Sequence, residues 1–436
     1  MINDLKLDYF IPHEKQGEYL TLPFDMPDNT AEFSLRYRYP THQENTASVK
    51  GGYFTSAKRV NIIDLGLVGP DGEQVGASGS DKHSLTINAN TATPGYTPRP
   101  LTPGKWHILV GAYQVAPEGV TVIYNLKFTP KQRKLYLGDL HTHTIASDGV
   151  LSIPELARHA QRHGLAFLAI SDHNQAVDPA ILKNIPGITL IPGIEWTHYS
   201  GHASFLGAGQ ADDQPFFTHS FEEVQARFRS ARARGALIII DHPCDENCGF
   251  QFDLNQLPFD CLEIWNGPMR ESNFKAVALW QSLLASGKKI SAVGGSDYHR
   301  DKLFQILGGP CMGVYAMSNA AEDILGAIHT GHSFITFAPQ GPTIALEIDA
   351  GIMGDTIPWQ PNCDLHIRAE GLQPGDTLRV ITPEDTINLF QAPAEGIAEL
   401  AYPVPSPGFA RVEIHRTFLP GVPPLPALIS NPIYFS

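Results

Sequence analysis

Leu135-Tyr-Leu-Gly-Asp-Leu-His141-Thr-His143-Thr-Ile-Ala-Ser-Asp148-Gly149 begins as an apolar run and breaks into a polar turn. Leu135, Leu137 and Leu140 give the run the character of a buried strand. Strand side chains alternate faces, so His141 and His143 emerge on the same side, where two imidazoles can grip one metal ion. Asp148 and Gly149 supply turn chemistry that swings a carboxylate back over the strand end. A lone H-x-H is a weak signal, and its weight comes from what lies downstream.

After this run the sequence alternates compact apolar strands with helical segments. The strands are Ala166–Ser171, Thr189–Ile194, Ala236–Ile240, Asp260–Trp265 and Ile290–Gly294. The capping-box pattern Ser152-Ile-Pro-Glu155 opens a helix ending at Gly164. Ser220-Phe-Glu-Glu223 opens a second helix ending at Gly235, a third runs from Asn273 to Gly287, and Asn319-Ala-Ala-Glu322 opens a fourth ending near Gly331. This rhythm predicts a parallel sheet, most simply closed into an α/β barrel over 135–335. Upstream, 1–130 shows alternating strand runs and turns such as Pro70-Asp71-Gly72 and predicts an N-terminal β-sandwich, joined by a polar linker over 129–134. Downstream, 336–436 returns to short strands and prolines and predicts a second, C-terminal β-sandwich. The expectation is a multidomain chain with an α/β barrel between two β domains.

The residues at the C-terminal ends of the predicted barrel strands are His141, His143, Asp148, Asp172-His173, Glu195, His242 and Asp297-x-His299, with His202 at the start of a short run. In a parallel barrel these ends converge on the face that carries catalytic groups. Buried together without cations, the carboxylates raise one another's pKa and destabilise the fold. Imidazoles and carboxylates in one mouth suit zinc, manganese or iron.

The chain resembles the PHP (polymerase and histidinol phosphatase) domain of metal-dependent hydrolases. The likeness rests on His141-x-His143-x4-Asp148-Gly149, Ser171-Asp172-His173, Gly193-Ile194-Glu195, His202, Asp241-His242-Pro243 and Ser296-Asp297-x-His299 in that order. The flanking regions, with Glu263-Ile-Trp-Asn266-Gly and Ser430-Asn-Pro-Ile-Tyr434, are similar to the CehA/McbA-like (carbaryl-hydrolase-like) branch. The resemblance implies a distorted (β/α)7 barrel holding two or three divalent ions. It places a first metal on His141, His143, Asp297 and a bridging Glu195. His202 and His242 complete a second site, and Asp148, His173 and His299 hold a third. Asp148 stands where some relatives carry histidine, which leaves the third site's occupancy open.

A surplus of positive charge at such a site matches a phosphate, and divalent ions lower the pKa of bound water to roughly 7. The leading expectation is therefore a phosphoesterase acting on a small-molecule phosphate monoester or cyclic diester, with a metal-bridging hydroxide as nucleophile. The alternatives are a carbamate or carboxylic ester hydrolase and a non-catalytic binding protein whose metal is structural. No G-x-S-x-G is present. His202 or Asp172 is the candidate proton donor to the leaving group. Asn266, Arg270, Arg300 and Lys302 are candidate substrate contacts, each balanced against packing or a solvated surface role. Cys244-x3-Cys248 reads as reduced thiols rather than ligands, and His159, His163, His219, His329 and His332 as surface residues.

Composition narrows the partners. Lys plus Arg number 31 against 45 Asp plus Glu, a formal charge of −14 that sets nucleic acid aside. No basic leader with an apolar core and no run of roughly 20 apolar residues stands in the sequence, so membrane association is not expected and the cytoplasm is. Five scattered cysteines do not make a disulfide framework. The β domains are expected to shape the rim or serve as a homo-oligomer interface.

Overall fold

Alternating apolar positions in the first 130 residues build two four-stranded antiparallel sheets that share one core. The computed structural model describes residues 4–42, 48–50, 53–55, 59–182, 185–207, 216–349, 351–361 and 363–436. One sheet runs Asp4–Ile11, Val120–Pro130, Thr30–Arg38, Ser84–Asn88, and the other Tyr19–Met26, Gly104–Gln114, Ile62–Val68, Gln74–Ser78. Leu35 and Phe33 from the first pack with Leu65, Trp106 and Ile108 from the second. The Phe24 and Phe33 rings stack at 5.1 Å. This is one compact unit, 1–132, and residues 133–436 form the other.

In the second unit the strands are β1 (Lys134–Asp139), β2 (Phe167–Ile170), β3 (Thr189–His198), β4 (Gly201–Leu206), β5 (Leu237–Ile240), β6 (Cys261–Asn266), β7 (Ser291–Gly295), β8 (Cys311–Ala316) and β9 (Ser333–Thr336). Its longer helices are α1 (Ile153–Arg162), α2 (Phe221–Ala233), α3 (Glu271–Ala285) and α4 (Ala321–His329). β2 and β5 are buried at every position, as strands covered on both faces must be. The α1 cap forms as the sequence dictates: Ser152 N donates to Glu155 Oε2 at 2.9 Å, and the helix stops before Gly164 at φ +80°. α4 departs from expectation by one residue. Its N-cap is Ala320 rather than Asn319, and the end is held by Ser318, whose Oγ accepts from Ala320 N and donates to Asp323.

Two features correct the all-parallel barrel. β3 turns at Gly201 into β4, which runs antiparallel to both β3 and β5, while β1∥β2∥β3 and β5∥β6∥β7 are parallel. On its other edge β1 pairs antiparallel with β8. The seven-strand ladder β1 to β7 meets its own start at one rim, through an isolated parallel bridge between Thr142 and Tyr298. The reversal of β4 has a sequence cause: no helix-length segment separates β3 from β4, and a short connection can only make a hairpin.

The expected boundary near 335 is also crossed by hydrogen bonds. β9 pairs with β8 and with Leu425–Ser430, and the sheet continues through Gly408–Arg416, Thr377–Ile381 and Thr386–Gln391. A second sheet, Gly351–Ile352, Thr343–Ile348, Asp364–Leu372 and Gly396–Pro403, covers it over a core of Phe334, Leu346, Ile367, Val380 and Val412. Asn431 ties this layer to β7 by accepting from Ala292 N at 2.7 Å and donating to Ala292 O at 3.0 Å. No described helix is long and apolar enough to cross a membrane.

Candidate metal centre

The ends of β1, β2, β5 and β7 point to one rim. Because β4 runs the other way, its beginning reaches that rim too, which is why His202 stands at the start of a strand while the other groups stand at or beyond strand ends. Glu195, in β3 and almost wholly buried, is the hub. Its Oε2 lies 3.4 Å from His141 Nε2, 3.4 Å from His143 Nε2 and 2.9 Å from His173 Nδ1. Its Oε1 lies 2.7 Å from His202 Nδ1 and 3.3 Å from His242 Nε2. Asp297 Oδ1 adds contacts of 3.5 Å to His141 Nε2 and 3.2 Å to His143 Nε2. At the outer side, Asp148 Oδ1 is 3.1 Å from His299 Nε2 and 3.7 Å from His173 Nε2. All nine side chains predicted as ligands therefore meet in one place.

Hydrogen bonding alone does not satisfy this cluster. His141 Nε2, both ring nitrogens of His143 and Glu195 Oε2 are buried with no hydrogen bond. Such orphaned atoms carry a desolvation cost of about 1–3 kcal/mol each unless another partner is present. Several triads and one tetrad of these residues have ligand atoms close enough to share an ion, among them His143, Asp148, His173 and His299, and His141, His143 and Glu195. The donor set is imidazole and carboxylate, which fits zinc, manganese or iron.

The electrostatics agree. Burial opposes a charge on His141, yet the carboxylates of Glu263, Asp297 and Glu195 hold its pKa well above the usual imidazole range. Burial likewise opposes a charge on His242, and Cys248, Glu195 and Glu263 overcome it. For Glu195 and Asp297, burial is outweighed by His141 and the other imidazoles, and both carboxyls are pushed far down. Without cations from elsewhere, the carboxylates draw protons onto His141, His173 and His242, whereas burial prevails at His143 and holds its pKa below the usual imidazole range. Divalent ions bound here would take the place of those protons, as metal binding at histidine sites does.

Backbone strain marks two of the candidate ligands. His242 and Asp297 sit at φ +26° and +51°, a region that non-glycine residues occupy at a cost and mainly at functional sites. Gly295 is required by close approach, since a Cβ there would collide with His141 Cβ.

Three buried carboxylates hold this frame from behind. Asp139 accepts from His141 N (3.2 Å), Ser296 N (3.0 Å) and Gly308 N (2.9 Å), fixing the exit of β1 against that of β7, and burial pushes its carboxyl up to about 6. Asp172, read in the sequence as a candidate proton donor, is held by the 144–147 loop. It accepts from Thr144 N, Thr144 Oγ1 and Ser147 Oγ, each at 2.7 Å. Glu263 touches two of the candidate ligands, His141 and His242, at once. Asp139 stands two residues before His141 inside the run that opened the sequence reading, but its role has no local signature.

The predicted substrate contacts divide. Asn266 is buried and donates from Nδ2 to Glu263 Oε2 at 3.2 Å, while Arg270 donates to Asn266 Oδ1 at 2.6 Å, so both support the frame. Arg300 is exposed and donates to Asp148 O at 3.3 Å. Lys302 is exposed, and its main chain pairs with Gln305 in a tight turn tipped by the exposed Leu303 and Phe304. Gln305 Nε2 anchors that turn to Asp297 O at 3.0 Å. Cys248 lies nearer the centre than the sequence suggested, with Sγ 3.6 Å from His242 Nδ1. His159 and His332, expected at the surface, are largely covered, and His332 Nε2 pairs with Asp355 at 3.0 Å.

No family model matches the chain. It is similar to a 5'-3' exoribonuclease of Haemophilus influenzae, 47% identical over 60 residues, which are 13% of this chain and 22% of that protein. It is also similar to the 5'-3' exoribonuclease Rnm of Salmonella typhimurium, 35% identical over 102 residues, 21% of this chain and 35% of that protein. The chain thus spans between a fifth and about a third of the length of these curated relatives. Among solved structures it is similar to a two-domain protein of Bacteroides vulgatus containing a predicted PHP-like metal-dependent phosphoesterase, at 15% identity, covering 68% of this chain and 95% of that one with a TM-score of 0.42. An amidohydrolase of Chromobacterium violaceum is similar at 18% identity over 37% of this chain and 87% of that one, with a TM-score of 0.29.

Proposed function

We propose that the 133–436 unit is a metal-dependent hydrolase of the PHP type, built on a distorted seven-stranded barrel, and that it cleaves phosphate esters of small anionic molecules. The observation that carries this reading is the set of buried, unbonded atoms on His141, His143 and Glu195 facing Asp297. The residues that would hold the ions are His141, His143, Asp148, His173, Glu195, His202, His242, Asp297 and His299. When bound, divalent ions supply a water of lowered pKa and stabilise charge on the departing oxygen. The protein's own part is placement. Glu195 spans the two halves of the cluster, Asp172 fixes the 144–147 loop, and Asp139 fixes the two strand exits. His202, with Nδ1 on Glu195, serves as a holder of this frame.

Ester hydrolysis of a carbamate or carboxylate is the second reading, favoured by one observation. The loops flanking the ligands expose Ile145, Val150, Leu303 and Phe304, whereas Arg300 is turned to a main-chain oxygen. An apolar lip suits a neutral or aryl substrate. Full-length protein loaded with zinc, manganese or iron(II) is to be assayed on p-nitrophenyl phosphate, the bis-ester and an aryl carbamate. A short oligoribonucleotide belongs in the same assay, because two partly similar proteins are exoribonucleases by name. Turnover of the phosphate esters is expected; turnover of the carbamate alone would overturn the first reading in favour of the second.

A further inference from the structure

We infer that Glu263 is a positioning residue that sets two metal ligands from different strands with a single carboxylate. The inference rests on the metal-centre reading above. Glu263 ends up almost fully buried in β6, between the exits of β5 and β7, and each of its oxygens is committed. Oε1 lies 3.0 Å from His141 Nδ1. Oε2 accepts from His242 N at 2.8 Å and from Asn266 Nδ2 at 3.2 Å.

The two contacts do different things. A carboxylate is acceptor only, so His141 must present Nδ1–H to Glu263, which leaves the Nε2 lone pair aimed at Glu195 and Asp297. This contact selects the tautomer able to bind an ion, the usual work of an outer carboxylate on a ligating histidine. At His242 the bond is to the main chain, at a residue held in the left-handed region at φ +26°. There Glu263 secures a strained backbone and with it the ring's approach to Glu195. Arg270, half exposed, closes the chain by donating to Asn266 Oδ1 at 2.6 Å.

A glutamine in this place cannot meet both demands. Its amide NH2 cannot face the Oε2 position, where His242 N–H and Asn266 Nδ2 both donate. It must face His141 Nδ1, which then becomes an acceptor, and the proton moves to His141 Nε2, the atom that would bind the ion. Glu263→Gln therefore keeps the His242 support and disables His141. Glu263→Ala removes both.

The test is metal content by elemental analysis and calorimetric titration with zinc and manganese salts, on full-length protein stripped and reloaded. The wild type is expected to hold at least two ions. Glu263→Gln should lose about one ion per chain or bind it on the order of 10–100-fold more weakly, with the remaining ion and the thermal melt of the stripped protein little changed. Glu263→Ala should weaken both. Asn431→Ala, which removes a buried tie on β7 that touches no ligand, should lower the melting temperature and leave metal affinity alone. Unchanged binding by Glu263→Gln, equal loss in Asn431→Ala, or a wild type that binds no ion would each overturn the inference. A wild type that binds its ions and loses one in Glu263→Gln, yet hydrolyses none of the esters, would leave the inference standing and sink the proposed reaction.

Discussion

Two buried polar clusters lie in the same unit, and they are built on opposite terms. Behind α3, Arg411, Glu413, His415 and Gln281 close on themselves. Glu413 accepts from Arg411 Nη1 at 2.6 Å and pairs with His415 Nε2 at 2.8 Å, while Arg411 Nε donates to Gln281 Oε1 at 2.9 Å. The Arg411 guanidinium also lies over the Trp280 ring at 4.9 Å. At the mouth of β1 to β7, Glu195 is surrounded by five imidazoles, and several ring nitrogens and a carboxylate oxygen face each other unbonded. A buried cluster that satisfies itself is there to hold the fold, here the C-terminal sheets against α3. One left unsatisfied is shaped for something that arrives later.

The largest expected effect breaks the mouth. Ions at a hundred times their dissociation constant add about 2.7 kcal/mol to the stability of a chain that binds them only when folded. In Glu195→Gln, added zinc or manganese should no longer raise the melting temperature, and turnover should fall to background. A retained metal-induced shift would contradict the hub role.

The self-contained cluster should answer in the opposite way. Arg411→Ala strands Glu413 in the interior and should cost about 3–5 kcal/mol in denaturant unfolding, with metal content unchanged. The pH dependence sharpens this. Burial works against ionisation of Glu413, but His415 and Arg411 prevail and lower its pKa to about 2. A depressed carboxyl contributes stability that is complete above its unfolded value and lost as pH falls through the folded one. This contribution, roughly 3 kcal/mol, should therefore disappear between about pH 4.5 and 2. Urea titrations across that window should show the slope in the wild type and a flatter one in Glu413→Gln.

Smaller again is Asp172→Asn. If Asp172 only holds Thr144 and Ser147, the rate should drop about 10–100-fold with the alkaline limb of the pH–rate profile kept. Loss of that limb would restore Asp172 as a proton donor. Ser152→Ala, at the α1 cap, should cost about 1 kcal/mol and leave activity untouched.

The convergence was legible because most of the candidate ligands stand at the edge of an apolar run, where burial ends and chemistry begins, and because imidazoles and carboxylates in such number have few uses besides metal. The helix starts were legible from Ser152 and Ser220, whose side chains act within one turn. What stayed hidden depends on partners distant in sequence. Nothing near Asp172 announces that its oxygens go to Thr144 and Ser147, 28 and 25 residues away. Glu263 reads as a strand end until His141, 122 residues earlier, is beside it. The reversal of β4 was present in the short connection at Tyr199-Ser-Gly201, but the strand–helix rhythm on either side argued for a parallel neighbour. The sheet that continues through β9 left no trace, since edge pairing is set by backbone atoms that every residue shares.

The seam that joins β7 back to β1 includes two main-chain bonds, His143 N to Tyr298 O at 2.9 Å and Tyr298 N to His141 O at 3.3 Å. These amides belong to, or lie between, the side chains that would grasp an ion, so loading and seam opening are coupled by construction. Their exchange with deuterated solvent should slow on loading more than that of any amide in the Arg411 layer, which gives the molecule an internal gauge of its own occupancy.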